Sequence, residues 1–170
     1  VQTGAGTPLV TLQCRDDGSV YNHGAGTDVN STAFGLGALI AQSGGSYSTA
    51  FGVNALMSNV SSSSCVAIGT SALKMATSAN GTVAIGTQAM ALSTGGTDSV
   101  AIGYNSNYSN LTGAYNCYTG YESGFLNTAS YQTGFGYRAL KENTGGSNAS
   151  LGAFTLFVNT TGANNTAVGY

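Results

Sequence analysis

Six carboxylates, four basic side chains and one histidine are all the charged or titrating acid–base chemistry in this 170-residue sequence, and a catalytic site needs such groups to converge. Asp16 and Asp17 stand side by side. A glycosidase holds two carboxylates about 5 to 9.5 Å apart across the bond it breaks, whereas adjacent aspartates ahead of Gly18 have the chemistry of a turn. His23 lies in a glycine-rich stretch without a second histidine or a carboxylate cluster to complete a metal set. The GAG and TGG segments lack the Lys-Ser/Thr ending of a phosphate loop. Cys14, Cys65 and Cys117 are odd in number and far apart, unlike a disulfide framework or zinc site, and small buried hydrophobes is the role expected of them. The expectation is a non-enzyme with no catalytic residues, no metal and no cofactor. A hydrolytic site assembled between chains is the enzymatic alternative.

Tyrosine breaks this plainness: seven of the ten fall between Tyr104 and Tyr137. Tyr104, Tyr121 and Tyr137 each follow a glycine, so an architecture that stacks those glycines stacks the rings into a ladder, with Tyr108 close by in sequence. A tyrosine pairs a flat apolar ring with a rim hydroxyl, which suits sugars and protein contacts alike. A structural ladder and a strip binding a glycan or partner are the two readings. Glycosylation sequons occur at Asn30, Asn59, Asn80, Asn107, Asn110, Asn148, Asn159 and Asn164, a modest excess over chance in a chain this rich in Asn, Ser and Thr.

The elements that must position these residues follow from a repeat. A short apolar motif ends in glycine at Gly35, Gly52, Gly69, Gly86, Gly103, Gly120, Gly136, Gly152 and Gly169, always 16 or 17 residues apart. Ala and Leu follow three and four residues later in the copies at Ala38, Ala55, Ala72 and Ala139, and a Gly/Asn/Thr turn closes several units. A unit this short leaves no room for a stable helix, so two short strands per unit are expected. Side chains alternate along a strand, placing Val66 with Ile68 on one face and Ala67 with Gly69 on the other. The predicted architecture is all-β: a parallel β-solenoid, or β-roll, of nine repeats over residues 31–170 with 16–17-residue coils, preceded over 1–30 by a cap or lead-in hairpin in which Val10 to Tyr21 form two strands. Stacking places Glu122 beside Arg138, two residues beyond successive motif glycines. Each coil encloses few apolar side chains, so oligomerisation is expected, with the small Ala and Gly face admitting a neighbouring rod.

Composition narrows the partners. Only 6% of residues are charged while 42% are hydrophobic, so the disorder signature is missing and the surface must be Ser, Thr, Asn, Gly and Tyr. That surface suits extracellular fibres. A formal net charge of −2 supplies no cationic footprint, and nucleic acid is not expected as a partner. The longest apolar runs are interrupted by glycine and too short to cross a bilayer as a helix, so no membrane insertion is expected.

The SVAIG run at Ser99 to Gly103, with CVAIG at Cys65 to Gly69 and TVAIG at Thr82 to Gly86, resembles the head repeat of YadA-like trimeric autotransporter adhesins. Asn165 to Tyr170 (NTAVGY), Asn159 to Gly162 (NTTG) and Gly136 to Leu140 (GYRAL) are similar to the NTAVGYxAL and NTTG repeats of phage and algal-virus tail fibres. The resemblance spans about four-fifths of the chain. It implies a left-handed β-roll, a homotrimer, and a structural and adhesive role on an extracellular fibre, cell surface or virion, with self and a cell-surface glycan as partners. The period exceeds the adhesin-head repeat, and the chain reads as one segment of a longer fibre. The alternatives are a subunit of an end-to-end filament without receptor specificity and an ice-binding rod. The latter needs repeated TxT arrays, but Thr32 and Thr49 give way to Val66, Val83 and Val100.

Overall fold

The computed structural model describes Leu12–Cys14, Val20–Asn22 and residues 30–170. Strands β1 (Leu12–Cys14) and β2 (Val20–Asn22) pair antiparallel with Leu12 opposite Asn22, within the segment expected to form a lead-in hairpin. Its turn residues Asp16, Asp17 and Gly18, and His23 beyond it, lie outside the described residues. The repeat contributes β3 (Thr32–Phe34), β4 (Thr49–Phe51), β5 (Val66–Ile68), β6 (Val83–Ile85), β7 (Val100–Ile102), β8 (Cys117–Thr119), β9 (Thr133–Phe135), β10 (Ala149–Leu151) and β11 (Thr166–Val168). These nine form one parallel sheet in chain order. Each residue faces its repeat equivalent: Ala50 pairs with Ala67, Ala84 with Ala101, and Tyr118 with Gly134. The fold is a parallel β-solenoid, with no helix among the described residues.

The second strand expected in each unit is not formed. After the motif glycine the chain makes two successive tight turns, Ala55 N–H to Gly52 O (3.3 Å) and Asn59 N–H to Leu56 O (3.2 Å), repeated at Ala72 and Ala76. Alternate residues there adopt left-handed φ: Asn54 (57°) and Leu56 (49°), Ser71 (57°) and Leu73 (48°), Arg138 (56°) and Leu140 (52°). A strand cannot survive that alternation. Each non-glycine residue so placed is strained, and coil stacking holds it, through bonds such as Asn54 N–H to Leu36 O (2.8 Å) and Leu56 N–H to Ala72 O (3.0 Å).

The faces of the first strand are also the reverse of the packing expected. The Ala column points inward: Ala33, Ala50, Ala67, Ala84 and Ala101 are buried. Val, Ile, Phe and Thr point out. The coil is too narrow for a branched side chain at the strand centre, because the opposite wall already contributes Leu39, Leu56, Leu73, Met90 and Leu140, all buried. Small residues thus serve the interior of one chain, not the approach of a second rod. The motif glycines, with φ from 126° to 141°, likewise serve stacking: a Cβ on Gly103 would stand 2.4 Å from the Gly120 carbonyl oxygen.

Drift in the middle copies is compensated. Tyr118 takes the strand centre where other coils carry Ala, and it is wholly buried. Glycine at 124 and 134 makes the room, since a Cβ at either would lie 2.6 Å from the Tyr118 ring. The difference between 16- and 17-residue coils is confined to one turn. In the 17-residue coils that carry an inward Asn at this turn, it bonds a backbone partner three residues on, as Asn59 does with Ser62 and Asn110 with Gly113. In the two 16-residue coils the clamp shortens to two residues, Asn127 to Ala129 and Asn143 to Gly145. Every other column keeps its alignment.

Candidate functional site

The chemistry-bearing side chains gather on the coils between Gly103 and Gly152. Because each column sits at a fixed offset from the motif glycine, residues 16 or 17 apart in sequence become neighbours at the β-strand spacing. Tyr104, Tyr121 and Tyr137 form the expected ladder, with ring centroids 5.2 and 5.3 Å apart and planes within 13° of parallel. Phe154 meets Tyr137 edge-on. Tyr108 does not join this ladder. It stacks on Phe125 in a column four residues further along the coil, at 5.2 Å.

Parallel stacking changes what the ladder offers. The faces of Tyr104 and Tyr121, and of Tyr121 and Tyr137, cover one another, so the strip presents ring edges and hydroxyls rather than open faces. The rings remain about two-fifths exposed. Partial burial, followed by the Glu122 charge, pushes the Tyr121 phenol up, so it stays a neutral donor.

Beside the ladder, Arg138 Nε donates to Glu122 Oε2 at 2.9 Å, the cross-coil pair the register requires. Lys141 Nζ approaches the same oxygen at 3.0 Å. The guanidinium lies 5.0 Å from the Tyr137 ring centre and 5.8 Å from that of Tyr121, and Lys141 Nζ sits 5.7 Å from both Phe125 and Phe157. Such cation–ring contacts hold the two basic groups in place. Burial alone would raise the Glu122 carboxyl, but the hydrogen bonds and charges of Lys141 and Arg138 outweigh it and hold the group below its ordinary value. The stabilisation is therefore present above the unfolded pKa of about 4.3 and is lost as pH falls through the lower folded value.

Lys141, Phe125 and Phe157 were not singled out from the sequence. The signal was available: all lie five residues beyond a motif glycine, in the column of Tyr108. A second stack, Tyr115 on Tyr131 at 5.1 Å, lies five residues before the next glycine and was equally legible.

The remaining sequence candidates scatter. Asn59, Asn107, Asn110 and Asn148 are buried, so a glycan on any of them is incompatible with the fold, and the Asn159 amide is engaged with Gly162. Asn30, Asn80 and Asn164 are exposed acceptors. Cys65 is buried inside the coil, where desolvation pushes its thiol up, while Cys117 is half-buried on the outward face of β8. No group of three or more metal-ligating side chains occurs among the described residues, and no helix among them is long and apolar enough to cross a membrane. No family model, curated protein or solved structure matches the chain.

Proposed function

We propose that this chain is a structural and adhesive segment of a homotrimeric, left-handed β-roll fibre, extracellular or carried on a virion, that attaches to a cell surface and carries out no catalysis. The observation that carries this reading is the outward face of the sheet. Its two outward columns, running from Thr32 and Phe34 to Thr166 and Val168, contain no charged residue over nine coils. Phe34, Phe51, Ile68, Ile102, Phe135, Leu151 and Val168 are all exposed in the single chain.

Nine strands at about 4.8 Å by three residues at about 3.3 Å give a strip of roughly 400 Å², already as large as the largest apolar patch of a typical monomer. Flanking apolar residues Leu36 and Val53 widen it at the first coils toward the roughly 800 Å² per partner of a stable interface. Burial of such a strip around a symmetry axis supplies what the thin coil interior lacks. The lack of charge on the strip also suits a permanent assembly.

Sedimentation velocity tests the assembly. The expected species has three times the 16.9 kDa chain mass and an elongated shape, and Ile68→Asp with Ile102→Asp should reduce it to monomers or unfold it. A wild-type monomer at micromolar concentration would overturn the trimer, and unlimited end-to-end growth would favour the filament reading. Binding of labelled trimers to intact host cells tests adhesion; the absence of binding leaves only a spacer.

A further inference from the structure

The described residues carry only six charged side chains, and four of them, Glu122, Arg138, Lys141 and Glu142, fall within the coils that also hold the tyrosine ladder. The coil wall does not need this cluster for stacking, since coils at Gly52 and Gly69 stack without it. Arg138 is held on three sides, by Glu122 through Nε and by two tyrosine rings, yet its side chain remains 30% exposed. Its terminal Nη groups make no hydrogen bond to another of the described residues. A fixed guanidinium with a free fork is built for two parallel bonds to a carboxylate. Because the neighbours already immobilise it, a ligand does not bear the cost of ordering it. With Lys141 on the same Glu122 oxygen, the trio keeps one net positive charge, and Glu142, next to Lys141 in the chain, brings the four-residue cluster to neutrality, so the free fork rather than net charge is what the site offers.

We propose that Arg138, backed by Glu122 and Lys141, together with the hydroxyl rim of Tyr104, Tyr121 and Tyr137, binds a carboxylated polysaccharide such as a polyuronate or polysialate laid along the rod. The inference rests on the adhesive reading and names its ligand class. Phenol groups repeat at the coil spacing, 5.2 to 5.3 Å between rings, close to the length of one sugar ring in an extended chain. Covered ring faces leave hydroxyl and edge contacts, which favours a polar, charged sugar over a neutral one read by stacking. A peptide fits poorly. Extended peptides bind by adding to an open strand edge, and here the backbone is already engaged coil to coil, Glu122 N–H to Tyr104 O and Arg138 N–H to Tyr121 O, both at 2.9 Å.

The test is titration of the intact assembly with polygalacturonate and polysialic acid, using dextran as the neutral polymer and polyglutamate as the acidic peptide. Binding to an acidic polysaccharide, weakened by salt, is expected. Arg138→Gln and Arg138→Lys should each weaken it tenfold or more, because lysine keeps the charge but loses the fork. Tyr104→Ala, which leaves the ion pair intact, should weaken it several-fold, and Lys74→Gln, outside the cluster, should not. Sedimentation and thermal melts of each variant verify assembly. Equal binding of dextran, preferential binding of polyglutamate, equal losses from Lys74→Gln and Arg138→Gln, or no binding of either acidic polysaccharide would overturn the proposal. If the last result comes with intact cell binding, the ligand class fails and the adhesive reading stands; if cell binding is also absent, both fail.

Discussion

At each motif glycine the backbone passes so close to the next coil that a methyl group has nowhere to go. For Gly103 the obstacle is the Gly120 carbonyl oxygen at 2.4 Å, and the φ of 133° is a conformation that L side chains rarely adopt. Gly95 contrasts with it: its φ is not in the positive range, and a Cβ would meet only the Ser78 hydroxyl at 3.4 Å and the Thr112 methyl at 4.0 Å. Gly103→Ala should therefore cost about 3 kcal/mol or more, from backbone strain with added displacement of the next coil. Gly95→Ala should change stability by less than about 1 kcal/mol, with stabilisation permitted by the lower entropy of the unfolded chain. Urea unfolding at one fixed protein concentration measures both, since stability of an assembly depends on concentration. The same residue-scale logic explains Tyr118. Its ring is tolerated because positions 124 and 134 are glycine, a compensation visible only once the coils are stacked.

At the scale of the element, the period of the repeat was enough to set the register, the tyrosine ladder and the Glu122–Arg138 pair, because each depends only on distance from a motif glycine. Two features were not legible. Alternation states which residues share a face, not which face turns inward; the opposing Leu and Met column decides that by leaving room only for Ala. Nor does an Ala-Leu pair announce the left-handed φ of Leu56, Leu73 or Leu140, which converts the second segment from strand to turns. The Asn clamp makes the turn the adjustable part of the coils that carry it. Inserting one glycine after Ala129 should convert the 16-residue coil to the 17-residue form, with Asn127 bonding three residues on, at a cost below about 1 kcal/mol. The same insertion between Thr133 and Gly134 turns the rest of β9 to the wrong face, driving Phe135 inward, and should cost beyond about 4 kcal/mol. Circular dichroism during urea unfolding separates the two, and equal losses would show that the turn has no such slack.

For the whole molecule, the deciding question is what covers the outward sheet face, and the chain carries its own probe. Cys117 lies on that face in register with Val100 and Thr133, whereas Cys65 is enclosed by its coil. If three sheets converge on a common axis, the three copies of Cys117 are brought near one another while Cys65 remains shielded. In a Cys14→Ser background, a flexible three-armed maleimide added to native protein should join three chains through Cys117. A two-armed reagent should join at most two of every three chains, because one thiol is always left over. Cys117→Ser should abolish both products, and Cys65 should label only after unfolding, as expected of a buried thiol whose ionisation is suppressed. Free single-chain labelling of Cys117 in the native assembly, with no joined product, would place the apolar face at the outside of the fibre. The assembly would then have to be built on the turn side of the coil, where the aromatic and charged columns lie, and the polysaccharide strip could not be open to solvent at the same time.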